Sequence, residues 1–94
     1  MDFECVKEAI KKLYEVEEVT DEQAKEFISV LLDLSDREER VVRLFWGLDD
    51  GIKRSSDELA KEFGVSKDMI NDVVKTAIRK LRHPVRSRRV LEAK

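Results

Sequence analysis

Cysteine is almost absent from this 94-residue chain: Cys5 stands alone, so no intramolecular disulfide can form. A solitary cysteine of this kind is expected to be a small packing residue rather than a reactive thiol. Histidine is equally scarce, and with only Cys5 and His83 available the usual zinc ligand sets cannot be assembled. No nucleophile–base pair emerges either, and the many carboxylates fall on helical faces without a pocket to raise a pKa. The chain is therefore not expected to be an enzyme, and no cofactor or metal is expected. No apolar run approaches the length of a membrane span, and the opening residues MDFECVKEA lack the basic start and apolar core of a signal peptide. A soluble, cytoplasmic protein with no membrane partner is expected.

Charge is what the sequence has in abundance. Charged residues make up 43% of the chain and hydrophobic ones 41%, enough apolar material for one small domain spanning residues 1–94. The formal charge of −2 hides a division. Residues 1–50 hold 7 Lys/Arg against 15 Asp/Glu, and residues 51–94 hold 12 against 6. An acidic first half argues against nucleic acid wrapping the whole surface, while a basic second half permits a local phosphate footprint.

The apolar residues recur at helical spacing throughout. Phe3, Val6, Ile10 and Leu13 form a stripe that predicts a helix from about Asp2 to Val16, with Glu15, Glu17 and Glu18 opposing the dipole at its end. Thr20 with Gln23 is a capping-box pattern, followed by Ala24, Phe27, Ile28, Leu31 and Leu32. Ser35 with Glu38 repeats it before Val41, Val42 and Phe45, and Gly47 supplies the stop. The turn Gly47 to Gly51 is no phosphate cradle, because no Gly-Lys-Ser/Thr follows and Asp49 and Asp50 would repel phosphate. Ser55 with Glu58 forms a third box, opening a short helix that Gly64 closes. The longest stripe is Ile70, Val73, Val74, Ala77, Ile78 and Leu81, with Ser66 at its N-cap and Pro84 just beyond its end. A short helix, a tight turn anchored by Val65 and a longer capped helix are what a helix-turn-helix requires, and small Ala60 allows the two axes to approach.

The stretch Ala77-Ile78-Arg79-Lys80-Leu81-Arg82-His83-Pro84 resembles A-L-R-K-L-R-H-P of region 4 in the primary-type sigma factors of bacterial RNA polymerase. The resemblance runs from about Leu34 to Ser87. It includes Leu34 to Glu39 against L-T-P-R-E-E, Val41 to Leu48 against V-L-R-L-R-F-G-L, and Glu58 to Ser66 against E-V-G-K-E-F-G-V-T. It implies a helix-turn-helix that reads minus-35-like promoter DNA and docks on the flap of the polymerase β subunit. The family's base-contacting positions then fall on Lys67, Asp68, Asn71 and Asp72, while Ser66 and the cations that continue the helix, Arg79, Lys80 and Arg82, are the expected phosphate contacts. Where the family reads T-R-E-R-I-R-Q, this chain has Ser66 to Asp72 as S-K-D-M-I-N-D, with two carboxylates that push phosphate away. Lys67 suits guanine O6/N7, Asn71 adenine N6/N7, and either aspartate cytosine N4. Cations at Arg79 to Arg82 also favour the helix C-terminal dipole, and the basic tail Arg86, Arg88, Arg89 and Lys94 is assigned to partner binding or solubility.

The expected architecture is all-α, with about five helices: an acidic N-terminal helical extension (1–34) and a sigma region-4-like helix-turn-helix (35–94), ended by a possible short helix after Pro84. Phe45, where the family commonly has arginine, and Trp46 need a cover. The N-terminal stripe is the favoured one, a homodimer surface or the polymerase flap the alternatives. Two functions are carried forward: a DNA-binding transcription regulator, and an interaction module that binds the β flap or a sigma or anti-sigma partner without reading DNA. A piece of a longer factor is a third possibility for the chain.

Overall fold

The computed structural model describes residues 1–94 and is built of six helices: α1 (Phe3–Tyr14), α2 (Asp21–Leu31), α3 (Asp36–Phe45), α4 (Ser56–Phe63), α5 (Lys67–Leu81) and α6 (Pro84–Leu91). Local chemistry accounts for their ends. All three capping boxes form reciprocally: Thr20 and Gln23, Ser35 and Glu38, and Ser55 and Glu58 each exchange a backbone N–H for a side-chain oxygen. Asp2 caps α1 by accepting from the Cys5 N–H, and the Ser66 hydroxyl caps α5 by accepting from the Met69 N–H. The first helix stops two residues short of the expected Val16, because Glu15 turns into the left-handed region at φ 56° and ends it. The short helix expected after Pro84 forms as α6. His83 is its N-cap and Pro84 its first residue, where a missing N–H costs nothing.

The core divides into two clusters. The larger gathers 14 buried residues from α1, α2, α6, the α3 turn and the end of α5, with Phe27 at its centre. Phe27 is fully buried, edge-on to Tyr14 and tilted against Trp46, each ring centroid 6.4 Å away. Trp46 is half-buried and shares a narrow crevice with Cys5, Ala9 and Lys12 of α1, so the N-terminal helix covers it within the chain. Phe45, which the N-terminal stripe was also expected to cover, packs instead against a smaller cluster of four, Val41, Leu59, Ile70 and Val74, with its ring 6.5 Å from Trp46. Helix α5 joins the two, its first half giving Ile70 and Val74 to the small cluster and its second half Ala77 and Leu81 to the large one.

The turn after α3 is sterically fixed. A Cβ on Gly47, at φ 64°, would lie 2.7 Å from the backbone carbonyl carbon of Ile52, so only glycine lets the loop fold back this tightly. The N-terminus is stitched to the same turn by the Asp2 N–H, which donates to the Leu48 carbonyl at 2.7 Å.

Candidate nucleic-acid interface

Helices α4 and α5 form the helix-turn-helix. Gly64 takes the left-handed conformation at φ 67°, the Val65 N–H closes the turn on the Ala60 carbonyl at 3.0 Å, and Leu59 packs on Ile70 and Val74. A side-chain bond clamps the pair: the Ser56 hydroxyl donates to Asn71 Oδ1 at 2.7 Å. Asn71 is half-buried by this contact, which occupies the oxygen that an asparagine offers to adenine N6.

Its neighbours on the polar face are open. Lys67 is exposed and lies 3.7 Å from Asp57, a separation at which two solvated side chains hold each other weakly. Asp68 and Asp72 are exposed and make no ion pair or side-chain hydrogen bond. Ser66 is exposed too, with its hydroxyl turned onto its own helix as the cap.

Further along, steps of three or four residues carry the same face from Asp68 and Asp72 to Lys75, Arg79 and Arg82. Lys75, Arg79, Arg82 and His83, with Ile78 as floor, line an open cleft of about 460 Å³ that contains no carboxylate. Lys75 was not among the residues picked out from the sequence. Its signal was its position four residues after Asn71 and four before Arg79, on the stripe that those residues define. The expected phosphate set is divided by the fold. Arg79 is exposed and unpaired, whereas Lys80 is bound to Glu38 at 2.8 Å. Arg82 donates from Nε to the Leu13 carbonyl at 3.1 Å, a neutral partner that leaves its charge uncompensated.

Two groups beneath this face have shifted acidities. Burial pushes Glu38 upward, but the Lys80 hydrogen bond and the Ser35 N–H and hydroxyl outweigh it and hold the carboxyl below its ordinary value. Burial pushes Tyr14 up to about 12, opposed by the charge of Arg86. The Tyr14 hydroxyl donates to the Leu81 carbonyl at 2.7 Å while Arg82 donates to Leu13, so α1 and α5 each satisfy a carbonyl at the other's C-terminal end. Cys5 is pushed up by burial and then by the Asp2 charge, which leaves it a thiol.

The basic tail is turned inward rather than outward. Arg89 bridges Glu26 at 2.9 Å and Asp33 at 3.1 Å, Arg86 reaches Asp33 at 3.5 Å, and the Gln23 amide donates to the Leu91 carbonyl. These pairs lay α6 antiparallel along α2 and settle part of the charge division inside the molecule. Arg86 and Arg89, expected to serve partner binding or solubility, thus have carboxylate partners within the chain, and Arg88 remains exposed.

An all-α chain with a tight α4–α5 turn, an exposed polar face on α5 and a carboxylate-free cationic cleft continuing it belongs to the DNA-binding helix-turn-helix class. The family model for sigma-70, region 4 matches residues 30–83, so the chain belongs to the sigma-70 region 4 family, a helix-turn-helix of the transcription machinery. It is similar to the RNA polymerase sigma factor SigA of a Bacillus species, 49% identical over 70 residues that cover 73% of this chain. It is also similar to the SigA of Clostridium acetobutylicum, 44% identical over 66 residues and 70% of this chain. The aligned residues span 19% and 18% of those relatives' own lengths. No helix is long and apolar enough to cross a membrane.

Proposed function

We propose that this protein binds minus-35-like promoter DNA through α5 and docks on the β flap of RNA polymerase. The supporting observation is the stripe Lys75, Arg79 and Arg82. Most of the molecule's other cations are matched to carboxylates, but these three lie together on one face of the reading helix with none. In this reading Lys67, Asp68 and Asp72 meet base edges and Arg79, Arg82 and Lys75 meet phosphate. Asn71 serves mainly to clamp α4 to α5, and Ser66 and Lys80 hold the helix in place beside the backbone. For the flap, the apolar surface on offer is Leu32, 68% exposed at the end of α2, and Val85, 62% exposed at the start of α6. The 3.5 Å pair between their neighbours Asp33 and Arg86 brings those two helix ends together.

Anisotropy titration of labelled duplexes over a range of salt tests the reading. Affinity should depend on sequence and fall steeply with salt, and Arg79→Glu or Lys75→Glu should weaken all duplexes while lowering the log–log slope by about one unit each. Equal affinity for every duplex, or none for any, would overturn it. The second reading, an interaction module that does not read DNA, is favoured by one observation: the exposed carboxylates of Asp68 and Asp72 at the start of α5. There, Arg79→Glu should leave flap binding intact and Leu32→Asp should abolish it.

A further inference from the structure

Helix α1 lies outside the part of the chain that the family model covers, which begins at residue 30. It packs against Trp46 and Leu48 after α3 and Leu81 of α5, all inside that part, and against Phe27 of α2. Its own Val6, Ala9, Ile10 and Leu13, at steps of three and four residues, are all buried in the large cluster. A helix of 12 residues is marginal in water by itself, so α1 owes its structure to the groove it fills. The body without it would present an apolar groove floored by aromatic rings, the form of surface that takes an amphipathic helix.

The body also holds both ends of this helix. At its start the Leu48 carbonyl accepts from the Asp2 N–H at 2.7 Å. At its end Arg82 Nε donates to the Leu13 carbonyl at 3.1 Å, and the Leu81 carbonyl accepts from the Tyr14 hydroxyl at 2.7 Å. Between them Lys53 reaches Glu8 at 3.2 Å. These groups specify a ligand: about three turns of helix, roughly 18 Å long, with aliphatic side chains at i, i+3, i+4 and i+7, a carboxylate beside Lys53 and a C-terminal carbonyl for Arg82. The covalent tie of α1 to the body is residues 15–20, which form no helix, so α1 can leave the groove without unwinding α2.

We propose that the groove under α1 is an acceptor site for an amphipathic helix of this pattern from another protein, and that α1 occupies it in cis and holds it closed. The partner gains the site by taking the place of α1, recovering the same burial and the same two end contacts. The short tether keeps α1 at an effective concentration on the order of millimolar, so only a helix that binds better than α1 opens the site. Neither base reading by α5 nor the exposed pair Leu32 and Val85 enters into this site, which makes it separable from the proposed function.

The probe is a fluorescently labelled peptide copy of residues 1–16, titrated by anisotropy into the full 94-residue chain as wild type, Tyr14→Phe and Ile10→Asp. Ile10→Asp puts a charge at a fully buried position and unseats α1, whereas Tyr14→Phe removes only the bond to Leu81. The peptide should bind Ile10→Asp on the order of a hundredfold more tightly than wild type, and Tyr14→Phe about fivefold more tightly. Trp46, the sole tryptophan, should shift its emission to the red in Ile10→Asp and return as peptide binds. Should Ile10→Asp be unfolded alone, the peptide should refold it. A folded variant that takes no peptide, or an unfolded one that excess peptide does not restore, overturns the inference. Equal binding to all three proteins places the peptide elsewhere and overturns it too. Sedimentation of the wild type should show a monomer; a dimer with α1 exchanged between copies would make a second copy the occupant and overturn the assignment to another protein.

Discussion

The two hydrophobic clusters do different work. The larger, 14 buried residues around Phe27, is closed on several sides by α1, α2, α6 and the end of α5. The smaller has four buried residues, and its partly buried lining, Phe45, Phe63, Val65 and Val73, reaches the surface. Burial of apolar area is the dominant favourable term in folding, so most of the stability lies in the body and the helix-turn-helix head is a satellite held by it. Helix α5 carries this division along its length: Ala77 and Leu81 anchor it in the body, and its first turns sit on the small cluster with Lys67, Asp68 and Asp72 exposed. The helix proposed to read DNA thus gets its orientation from buried residues at both of its ends and from the Ser56–Asn71 bond.

Substitutions at the two cluster centres should break this comparison most visibly. Phe27→Ala removes a fully buried ring that touches Tyr14 and Trp46, and should cost about 3–5 kcal/mol in urea unfolding. It should lower protection from hydrogen exchange everywhere, α5 included. Leu59→Ala, also at a fully buried position, should cost about 2–4 kcal/mol. Its loss of protection should be concentrated in α4 and the first half of α5, with α1, α2 and α6 remaining slow to exchange. Uniform loss in both variants would show that the clusters unfold as one.

The seam between body and head has its own pH signature. Glu38, at the start of α3, accepts from Lys80 of α5 at 2.8 Å and is nearly buried, with its carboxyl held below the ordinary value of 4.5. A depressed folded pKa gives stability that is present above the unfolded value and lost as pH falls through the folded one. Glu38→Gln should therefore cost about 1–2 kcal/mol at pH 7, and the difference from wild type should close as the pH drops below the usual glutamate range. Thermal unfolding of both proteins across that range checks it. A gap that persists at low pH would mean that glutamine fails to keep the Ser35 capping bond or the packing around position 38, and not that a charge was lost.

What the sequence made legible follows the range of each interaction. The caps at Thr20, Ser35, Ser55 and Ser66 are contacts between residues three apart, and they form as their spacing predicts. The His83-Pro84 pair, noticed as a family signature, has a local reason: it caps and opens α6. The intramolecular cover of Trp46 by α1 was legible because an apolar stripe and an unmatched aromatic called for each other. What could not be read were contacts across the fold. Ser56 meets Asn71 across the helix-turn-helix turn, Lys80 meets Glu38 from 42 positions away, and Arg82 meets the Leu13 carbonyl from 69. Each takes a side chain that looked free for DNA and gives it a partner inside the chain. A charge split read from composition carries no information on whether the opposite charges face each other or the solvent.

The α2–α6 pairs are the sharpest case of that ambiguity, and they carry the smallest predicted effect. Arg89 reaches two carboxylates, Glu26 and Asp33, but all three groups remain a third or more exposed to water. Ion pairs in such surroundings are largely offset by side-chain entropy and screening, so Arg89→Ala should cost only about 0.5 kcal/mol at low salt and less at 1 M, where the Debye length is about 3 Å. The docking of α6 instead rests on Val90, which is fully buried in the large cluster. If Arg89→Ala cost several kcal/mol and the loss were salt-dependent, the charge division would be holding the body together. A small effect leaves it the role of setting the antiparallel register of α6 along α2, with apolar burial supplying the stability.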